Sequence, residues 1–215
     1  MAPHVALLGD SIFDNRAYTR GDPDVIGHLR RLLPPSWKTT LLALDGTTTG
    51  DVDEQVRRVP ADASHLVLAV GGNDALMNSD LLRSPVASTA EALRLFADRA
   101  GAFEAAYRRA AAALLALGRE VALCTIYNGN LEPREAPLAR VALAIFNDAI
   151  VRVAVEARVN LIELRLVCTE PADYANPIEP SGQGGRKIAQ AIADAVGAHD
   201  GRGRRTVAIG GAGAG

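Results

Sequence analysis

Aromatic residues, cysteines and net charge are all scarce in this sequence. Aromatic residues make up 4% of the chain, there are two cysteines, and the formal net charge is −2. A charge this small gives no electrostatic basis for binding nucleic acid or an anionic membrane, so we expect neither as a partner. Cys124 and Cys168 lie in or beside apolar runs and are predicted to be buried free thiols. Their pattern favours neither a disulfide framework nor a zinc site, and we expect no metal and no cofactor.

Long apolar runs are also missing. No stretch of 18 apolar residues is present, which excludes a membrane-spanning helix of the usual length. The first residues, MAPHVALLGDS, have no charged segment followed by a long apolar stretch, and they enter a predicted strand almost at once. We therefore expect no signal peptide and a cytoplasmic location.

Hydrophobic residues form 48% of the 215 residues and charged residues 22%, the profile of a globular protein. The length suits one domain, which we predict to span residues 1–200. The Gly- and Arg-rich end, 201–215, is predicted to be a flexible tail.

Short apolar runs alternate with helical patterns along the chain. The runs are near-continuous, which is typical of strands buried on both faces. Predicted strands are HVALLG (4–9), TTLLAL (39–44), HLVLAVGG (65–72), EVALCTIY (120–127) and VNLIEL (159–164); predicted helices cover 23–33, with Asp22 as N-cap, 86–117, 137–157 and a segment after Ser181. This alternation predicts an α/β fold, a three-layer αβα sandwich around a five-stranded parallel flavodoxin-like sheet.

Ligands of open parallel sheets bind beyond the carboxyl ends of the strands, so functional residues are expected in the segments that follow the strands. Ser11 follows the first strand, Gly50 lies in the polar loop DGTTTGD after the second, and Asn73 follows the third in GGND. Each segment taken alone also fits an ordinary turn. Together they would supply a nucleophile and three hydrogen-bond donors, the Ser11 N–H, the Gly50 N–H and the Asn73 amide, as acyl transfer requires.

Four blocks carry a family resemblance: GDS, the loop with Gly50, GGND, and the C-terminal Pro180-Ser181 followed by GG and IA. In this order they resemble the SGNH hydrolases, also called the GDSL esterase/lipase family, over about residues 4–197. The resemblance implies an esterase with Ser11 as nucleophile and Ser11, Gly50 and Asn73 as oxyanion-hole residues. Gly50 is chosen over Gly46 because the last glycine of DGTTTGD fits the second block of the family best.

The last block departs from the family pattern. Where D-x-x-H-P is usual, Glu179 occupies the histidine position and Asn176 the aspartate position. His4 and His65 begin strands and so lie at the opposite edge of the sheet. His28 falls within a predicted helix, facing solvent, and His199 follows the final helix. None of the four histidines is expected at the site.

Two interpretations follow from this departure. In one, Glu179 is the general base, with its pKa raised by burial or by a like-charged neighbour such as Asp173 or Asp14. In the other, Glu179 only complements a helix N-terminus, and the protein is either a weak esterase with water or Asp14 as base or a non-catalytic binder.

Substrate contacts are predicted for Asp10, Asp14, Asn176 and Tyr127, although Tyr127 also fits a packing role at a strand end. With few aromatic residues for stacking, a small or short-chain carboxylic ester, such as an acetylated sugar, is favoured over a bulk lipid. A third hypothesis, a flavodoxin-like nucleotide or flavin binder, is opposed by the absence of G-x-x-x-x-G-K-[ST] and of G-x-G-x-x-G after the first strand.

Overall fold

The computed structural model describes residues 2–197. The predicted tail at 201–215 and the position of His199 lie outside this range. Within it, five strands form one parallel sheet in the order β2-β1-β3-β4-β5. The strands are β1 His4–Gly9, β2 Lys38–Leu41, β3 His65–Ala69, β4 Glu120–Cys124 and β5 Asn160–Ile162.

Seven α-helices and four 3₁₀ turns are described between and after these strands. The helices are α1 Val25–Leu32, α2 Val52–Val56, α3 Gly72–Met77, α4 Thr89–Leu115, α5 Ala136–Ala157, α6 Leu164–Val167 and α7 Gly182–Ala195; the 3₁₀ turns are Arg16–Tyr18, Thr49–Asp51, Ser79–Arg83 and Pro171–Asp173. The strand order is that of the flavodoxin-like sheet. The predicted α/β fold class is confirmed, although the strands after the first end two or three residues earlier than the apolar runs did.

Both faces of the sheet are covered, as the continuous apolar runs predict. Val5 and Leu7 of β1 pack with α1 and α7, whereas Ala6 and Leu8 point to the layer of α4 and α5. All four side chains are fully buried. Cys124 and Cys168 are free and buried, which confirms that part of the sequence analysis.

The start of the first helix differs from the prediction. Asp24, not Asp22, is the N-cap, and its carboxylate accepts a hydrogen bond from the Gly27 N–H at 2.8 Å. The Asp22 N–H instead closes a turn onto the Thr19 carbonyl. The prediction was wrong because it placed Pro23 at the first helical position, which is only a statistical preference of proline. The N-cap is instead the residue whose side chain accepts a hydrogen bond from the N–H three residues later, and here that residue is Asp24.

Two helices extend beyond the sheet and form the walls of the site. Helix α4 has 27 residues, about 40 Å at 1.5 Å per residue, which is far longer than a five-residue strand. Its buried residues start at Phe103, so the first half projects past the carboxyl edge of the sheet. The first ten residues of α5 are likewise only partly buried or exposed. Among residues 2–197, no helix combines the length and apolar character needed to cross a bilayer.

An ion-pair network joins these two long helices. Arg152 of α5 binds the Glu104 carboxylate of α4 through two nitrogens, at 2.6 and 2.7 Å, and Arg108 of α4 binds Glu156 of α5. Arg108 also bonds to Glu104 within α4. Individual surface pairs contribute about 0–1 kcal/mol, but a bidentate network fixes the relative position of the helices.

Candidate active site

A cavity of about 620 Å³ opens at the carboxyl edge of the sheet, between the strand ends and the projecting halves of α4 and α5. Side chains from all of these elements line it. They include Ser11, Asn73, Phe96, Tyr127, Leu138, Phe146 and Glu179. The position agrees with the rule that ligands of parallel sheets bind beyond the strand ends.

The turn that presents Ser11 depends on Gly9. Gly9 has φ +125°, and a Cβ there would lie 1.7 Å from the Ala69 carbonyl oxygen, so no other residue fits without moving the backbone. The buried Gln55 amide holds the backbone on both sides of Gly9: it accepts from the Gly9 N–H at 2.7 Å and donates to the Gly9 carbonyl at 2.8 Å. Ser11 is therefore placed at the cavity by a rigid turn.

The Ser11 hydroxyl donates a hydrogen bond to the Glu179 carboxylate. The distance from Oγ to Oε1 is 3.2 Å, and both residues are buried, with 8% and 6% of their surface exposed. The second oxygen, Oε2, is buried without a partner among the described residues. A carboxylate that accepts the hydroxyl proton directly is in the geometry of a general base.

Burial raises the pKa of the Glu179 carboxyl, the hydrogen bond from Ser11 lowers it, and the negative charge of Asp45 raises it further; the net direction is upward. A higher pKa makes the carboxylate a stronger base. Asp173 and Asp14 were the expected candidates for a like-charged neighbour that raises this pKa. That expectation was wrong, because the neighbour that acts is Asp45 of the loop after β2.

The backbone that carries Glu179 is a tight turn. The Asn176 side chain accepts hydrogen bonds from the N–H groups of Ile178 and Glu179, both at 2.9 Å. The Glu179 carbonyl accepts from the Ala175 N–H at 2.8 Å. Asn176 therefore positions the peptide of Glu179 and makes no described hydrogen bond with its carboxylate. Asn176 is exposed and is not among the residues that line the cavity.

The loop after β4 clamps this turn from the other side. The Tyr127 hydroxyl donates to the Ile178 carbonyl, and the Asn130 N–H donates to the Pro177 carbonyl at 2.8 Å. Gly129 between them has φ +72° and lies close to the same carbonyl, where a Cβ would be 2.7 Å from the oxygen. Tyr127 lines the cavity and is buried, so it both packs and positions Glu179.

We predict that Tyr127→Phe lowers kcat by about 10- to 100-fold with a small effect on KM. The change removes the hydroxyl that fixes the Ile178 carbonyl, and displacement of a catalytic group by about 1 Å can cost about 100-fold. Steady-state kinetics measures the effect. Tyr174→Phe is the matched control, because it removes a comparable bond from a tyrosine hydroxyl to the Cys168 carbonyl at 2.9 Å. Equal kcat losses in both variants would contradict a positioning role for Tyr127.

The candidate hydrogen-bond donors lie on two loops that are tied together. Asn73 of α3 lines the cavity, and one proton of its amide donates to the Thr47 carbonyl at 2.9 Å; no acceptor for the other proton is found among the described residues. Asp74 holds the neighbouring loop, since it accepts from the Thr49 hydroxyl at 2.6 Å and from the Thr49 N–H at 3.0 Å. Gly50 follows Thr49 in the 3₁₀ turn, where its N–H has no acceptor within the helix. Gly50 is exposed and does not line the cavity.

Comparison with known families fits this geometry. The model of the GDSL-like lipase/acylhydrolase family matches residues 7–187. The chain belongs to this family. The resemblance seen in the sequence is thereby confirmed, and the protein is a hydrolase of ester bonds. A comparison with curated proteins found no match.

Solved structures of GDSL-like hydrolases share the fold at low sequence identity. An acetylxylan esterase from Geobacillus stearothermophilus is 16% identical, with 94% of this chain and 97% of the other covered and a TM-score of 0.67. A phospholipase A1 from Streptomyces albidoflavus is 16% identical, with 91% and 100% covered and a TM-score of 0.64. An extracellular lipase from Streptomyces rimosus is 15% identical, with 90% and 100% covered and a TM-score of 0.62.

The described histidines of this GDSL-like hydrolase lie away from Ser11. His4 and His65 begin β1 and β3 at the amino edge of the sheet, as predicted, and His4 bonds to Asp62 and Thr40 there. His28 was predicted to face solvent. It is instead partly buried, with Nε2 unpartnered among the described residues, and burial lowers its pKa.

Asp173 and Asp14 have other partners in the structure of this family member. Asp173 is fully buried and accepts hydrogen bonds from the N–H groups of Thr169 and Glu170 and from Lys187. Asp14 accepts from the Asp45 N–H at 3.1 Å and is not among the cavity-lining residues. Of the four predicted substrate contacts, Asp10 and Tyr127 line the cavity, whereas Asp14 and Asn176 do not.

Two contributors to the site of this hydrolase were missed in the sequence. Gln55 was not singled out because it lies on an amphipathic-looking helical turn, where a glutamine usually faces solvent. Asp45 was noted only as part of a polar loop. Gln55 could have been identified from one signal, a polar residue at a position of α2 that its pattern predicts to be buried. No feature of the sequence indicated that Asp45 contributes to the site.

Proposed function

We propose that this protein is a serine esterase in which Ser11 is the nucleophile and Glu179 replaces histidine as the general base. The observation that carries the proposal is the direct hydrogen bond from Ser11 Oγ to Glu179 Oε1, at 3.2 Å, on the wall of the cavity. Since no described histidine lies near Ser11, Glu179 is the group placed to accept its proton.

In the first half of the reaction, Ser11 Oγ attacks the ester carbonyl and its proton moves to Glu179. The tetrahedral intermediate collapses with cleavage of the bond to the alcohol oxygen, and Glu179 returns the proton to that oxygen. An acyl group then remains on Ser11. In the second half, water attacks this acyl group and gives a proton to Glu179. The bond between the acyl carbon and Ser11 Oγ then breaks, Glu179 returns its proton to Oγ, and the carboxylic acid is released with the Ser11 hydroxyl restored.

The negative charge of the tetrahedral intermediate needs donors on the other side of the carbonyl. We assign these to the Ser11 N–H and the second proton of the Asn73 amide, whereas Gly50, the third donor that the family resemblance implies, is exposed and does not line the cavity. No acceptor for the Ser11 N–H is found among the described residues, and Asn73 lines the cavity. Removal of one such donor typically costs about 100- to 1,000-fold in kcat.

The substrate is proposed to be a small carboxylic ester with a short apolar acyl group. Leucine and phenylalanine side chains from α3, α4 and α5 form much of the cavity wall, including Leu76, Phe96, Leu138, Leu143 and Phe146. Acetylxylan esterases among the structural neighbours support an acetylated sugar as the alternative. The apolar wall favours an acyl group longer than acetyl.

We expect kcat/KM for p-nitrophenyl esters to rise from acetate through butyrate to hexanoate. Burial of each methylene in an apolar cavity contributes about 0.8 kcal/mol, or roughly fourfold per methylene. The measurement is the initial rate over this series with the purified protein. A maximum at acetate would contradict the apolar acyl assignment and favour the acetylated sugar. Absence of turnover together with absence of labelling by an organophosphonate would instead favour a non-catalytic binder.

A further inference from the structure

Asp10, the residue before the nucleophile, has a buried carboxyl group that the proposed reaction does not use. Its side chain lines the cavity with Ser11 and Glu179, and only 1% of the residue is exposed. Oδ1 accepts a hydrogen bond from the Ile12 N–H at 3.0 Å. Oδ2 is buried with no partner among the described residues. A buried charge without a partner is costly, so the uncharged form of the carboxyl suits this position.

The charges that act on Asp10 are those of other acids. Glu179 on the turn before α7, Asp74 on α3 and Asp45 on the loop after β2 each raise the pKa of Asp10, and the charge of Asp10 in turn raises the pKa of Cys124 on β4 and of Tyr127 after it. The described hydrogen bonds and ion pairs bring no lysine, arginine or histidine to Asp10. Burial raises the pKa of Asp10 to about 7; the bond from Ile12 opposes this, and the three carboxylate charges add to it.

Glu179 and Asp10 both have a pKa above the usual carboxyl value, and burial is the largest cause for each. The hydrogen bond that Ser11 donates to the Glu179 carboxylate favours the charged form of Glu179. The unpartnered Oδ2 of Asp10, together with the nearby Glu179 charge, favours the uncharged form of Asp10.

We propose that Asp10 must be an uncharged carboxylic acid in the working enzyme, and that its ionisation stops catalysis. The inference rests on the proposed function, because acyl transfer at Ser11 creates a negative charge on the substrate in the cavity that Asp10 lines. A second, unpartnered carboxylate on the buried wall behind the nucleophile would repel that charge. Glu179 acts in its charged form and Asp10 in its neutral form.

The test compares the pH dependence of kcat/KM in the parent and in Asp10→Asn. Asparagine keeps an oxygen for the Ile12 N–H and is neutral at every pH. We expect parent activity to rise as Glu179 ionises and to fall above about pH 7, by about 100-fold at pH 9. Asp10→Asn should keep the rising limb and lose the falling one. Asp53→Asn, which removes an exposed carboxylate on α2, should retain both limbs. An unchanged falling limb in Asp10→Asn would overturn the proposal.

A second readout does not depend on turnover. Because the pKa of Asp10 is higher in the folded state than in the unfolded chain, the folded protein holds the extra proton, and stability falls as pH rises from about 4 to about 7. The Tm of the parent should therefore decrease relative to that of Asp10→Asn across this interval and run parallel to it above. Parallel Tm curves at all pH values would overturn the inference, even if Ser11→Ala shows that the esterase itself is real.

If Asp10→Asn does not fold, the parent alone is sufficient. Carboxyl ¹³C resonances of aspartate-labelled parent protein should include one group that titrates near pH 7. Aspartate resonances that all titrate below about pH 5 would contradict the uncharged state of Asp10. Loss of turnover in every variant would show failure of the proposed function, and the titration would still decide the state of Asp10.

Discussion

Ser11→Ala is expected to reduce turnover of p-nitrophenyl butyrate by about 10⁴- to 10⁶-fold. The remaining rate would come from substrate binding and the oxyanion-hole donors alone. The hydroxyl supplies the atom that becomes acylated, and no other described hydroxyl is bonded to Glu179. The fold should survive, because the Ser11 side chain makes only this one described hydrogen bond. Rates and thermal unfolding of the variant measure both effects.

The matched control for Ser11→Ala is Ser79→Ala. Ser79 lines the same cavity from the 3₁₀ turn after α3 but makes no described hydrogen bond with Glu179. We expect its activity to stay within about threefold of the parent. An organophosphonate should label the parent and Ser79→Ala at Ser11 and should leave Ser11→Ala unlabelled. Turnover that persists in Ser11→Ala would exclude Ser11 as the nucleophile.

Glu179→Gln is expected to lower kcat by about 100- to 10⁴-fold, with KM little changed. Glutamine keeps the shape of the side chain and an oxygen that can accept from Ser11, but it cannot take the proton. The turn around position 179 is held by backbone bonds and by Asn176, so the variant should fold. Glu135→Gln serves as the control, since Glu135 is an exposed carboxylate on the rim of the same cavity.

The alternative base, Asp14, predicts a different pattern. Its carboxylate accepts the Asp45 N–H and it does not line the cavity, so Asp14→Asn should change kcat by less than about threefold. A large loss in Asp14→Asn combined with an active Glu179→Gln would assign the base to Asp14. Equal activity of Glu179→Gln and the parent would remove Glu179 from the mechanism.

The sequence sufficed to predict the parts of the site that depend on topology. Ser11 and Asn73 follow apolar runs, and parallel strands bring such loops to one edge regardless of packing detail. Glu179 was found in another way, from the family resemblance, because the motif before the last helix could be aligned on Pro180 and Ser181. The actual contact between Glu179 and Ser11 spans 168 residues of chain and needed the structure.

Interactions between side chains and distant backbone groups could not be predicted. The bond from Tyr127 to the Ile178 carbonyl and the clamp of Gln55 on Gly9 join positions that no periodicity connects. Asp173 lies near Glu179 in the sequence, which suggested that the two carboxylates interact. In the structure the Asp173 carboxylate instead accepts a hydrogen bond from Lys187. Tertiary packing decides such contacts, and local pattern carries no information about them.

Part of the apolar cavity wall was not predicted, for a related reason. Leu143 and Phe146 belong to a helical pattern that predicts core positions. The length by which α4 and α5 exceed the strands places Leu143 beyond the sheet edge, where it lines the cavity. A comparison of helix and strand lengths could have indicated this overhang.

The central claim is that Glu179 takes the proton of Ser11, and the pH dependence of kcat/KM tests it most directly. In the parent we expect an acidic limb set by a carboxyl group whose pKa lies above the usual value for glutamate, because burial raises it. This limb should vanish in Glu179→Gln together with most of the activity. In Glu179→His, turnover should return with a limb near about pH 6.5, the range of imidazole. An acidic limb that stays at the same pH in all three proteins would contradict the claim, because the group that titrates could not then be Glu179.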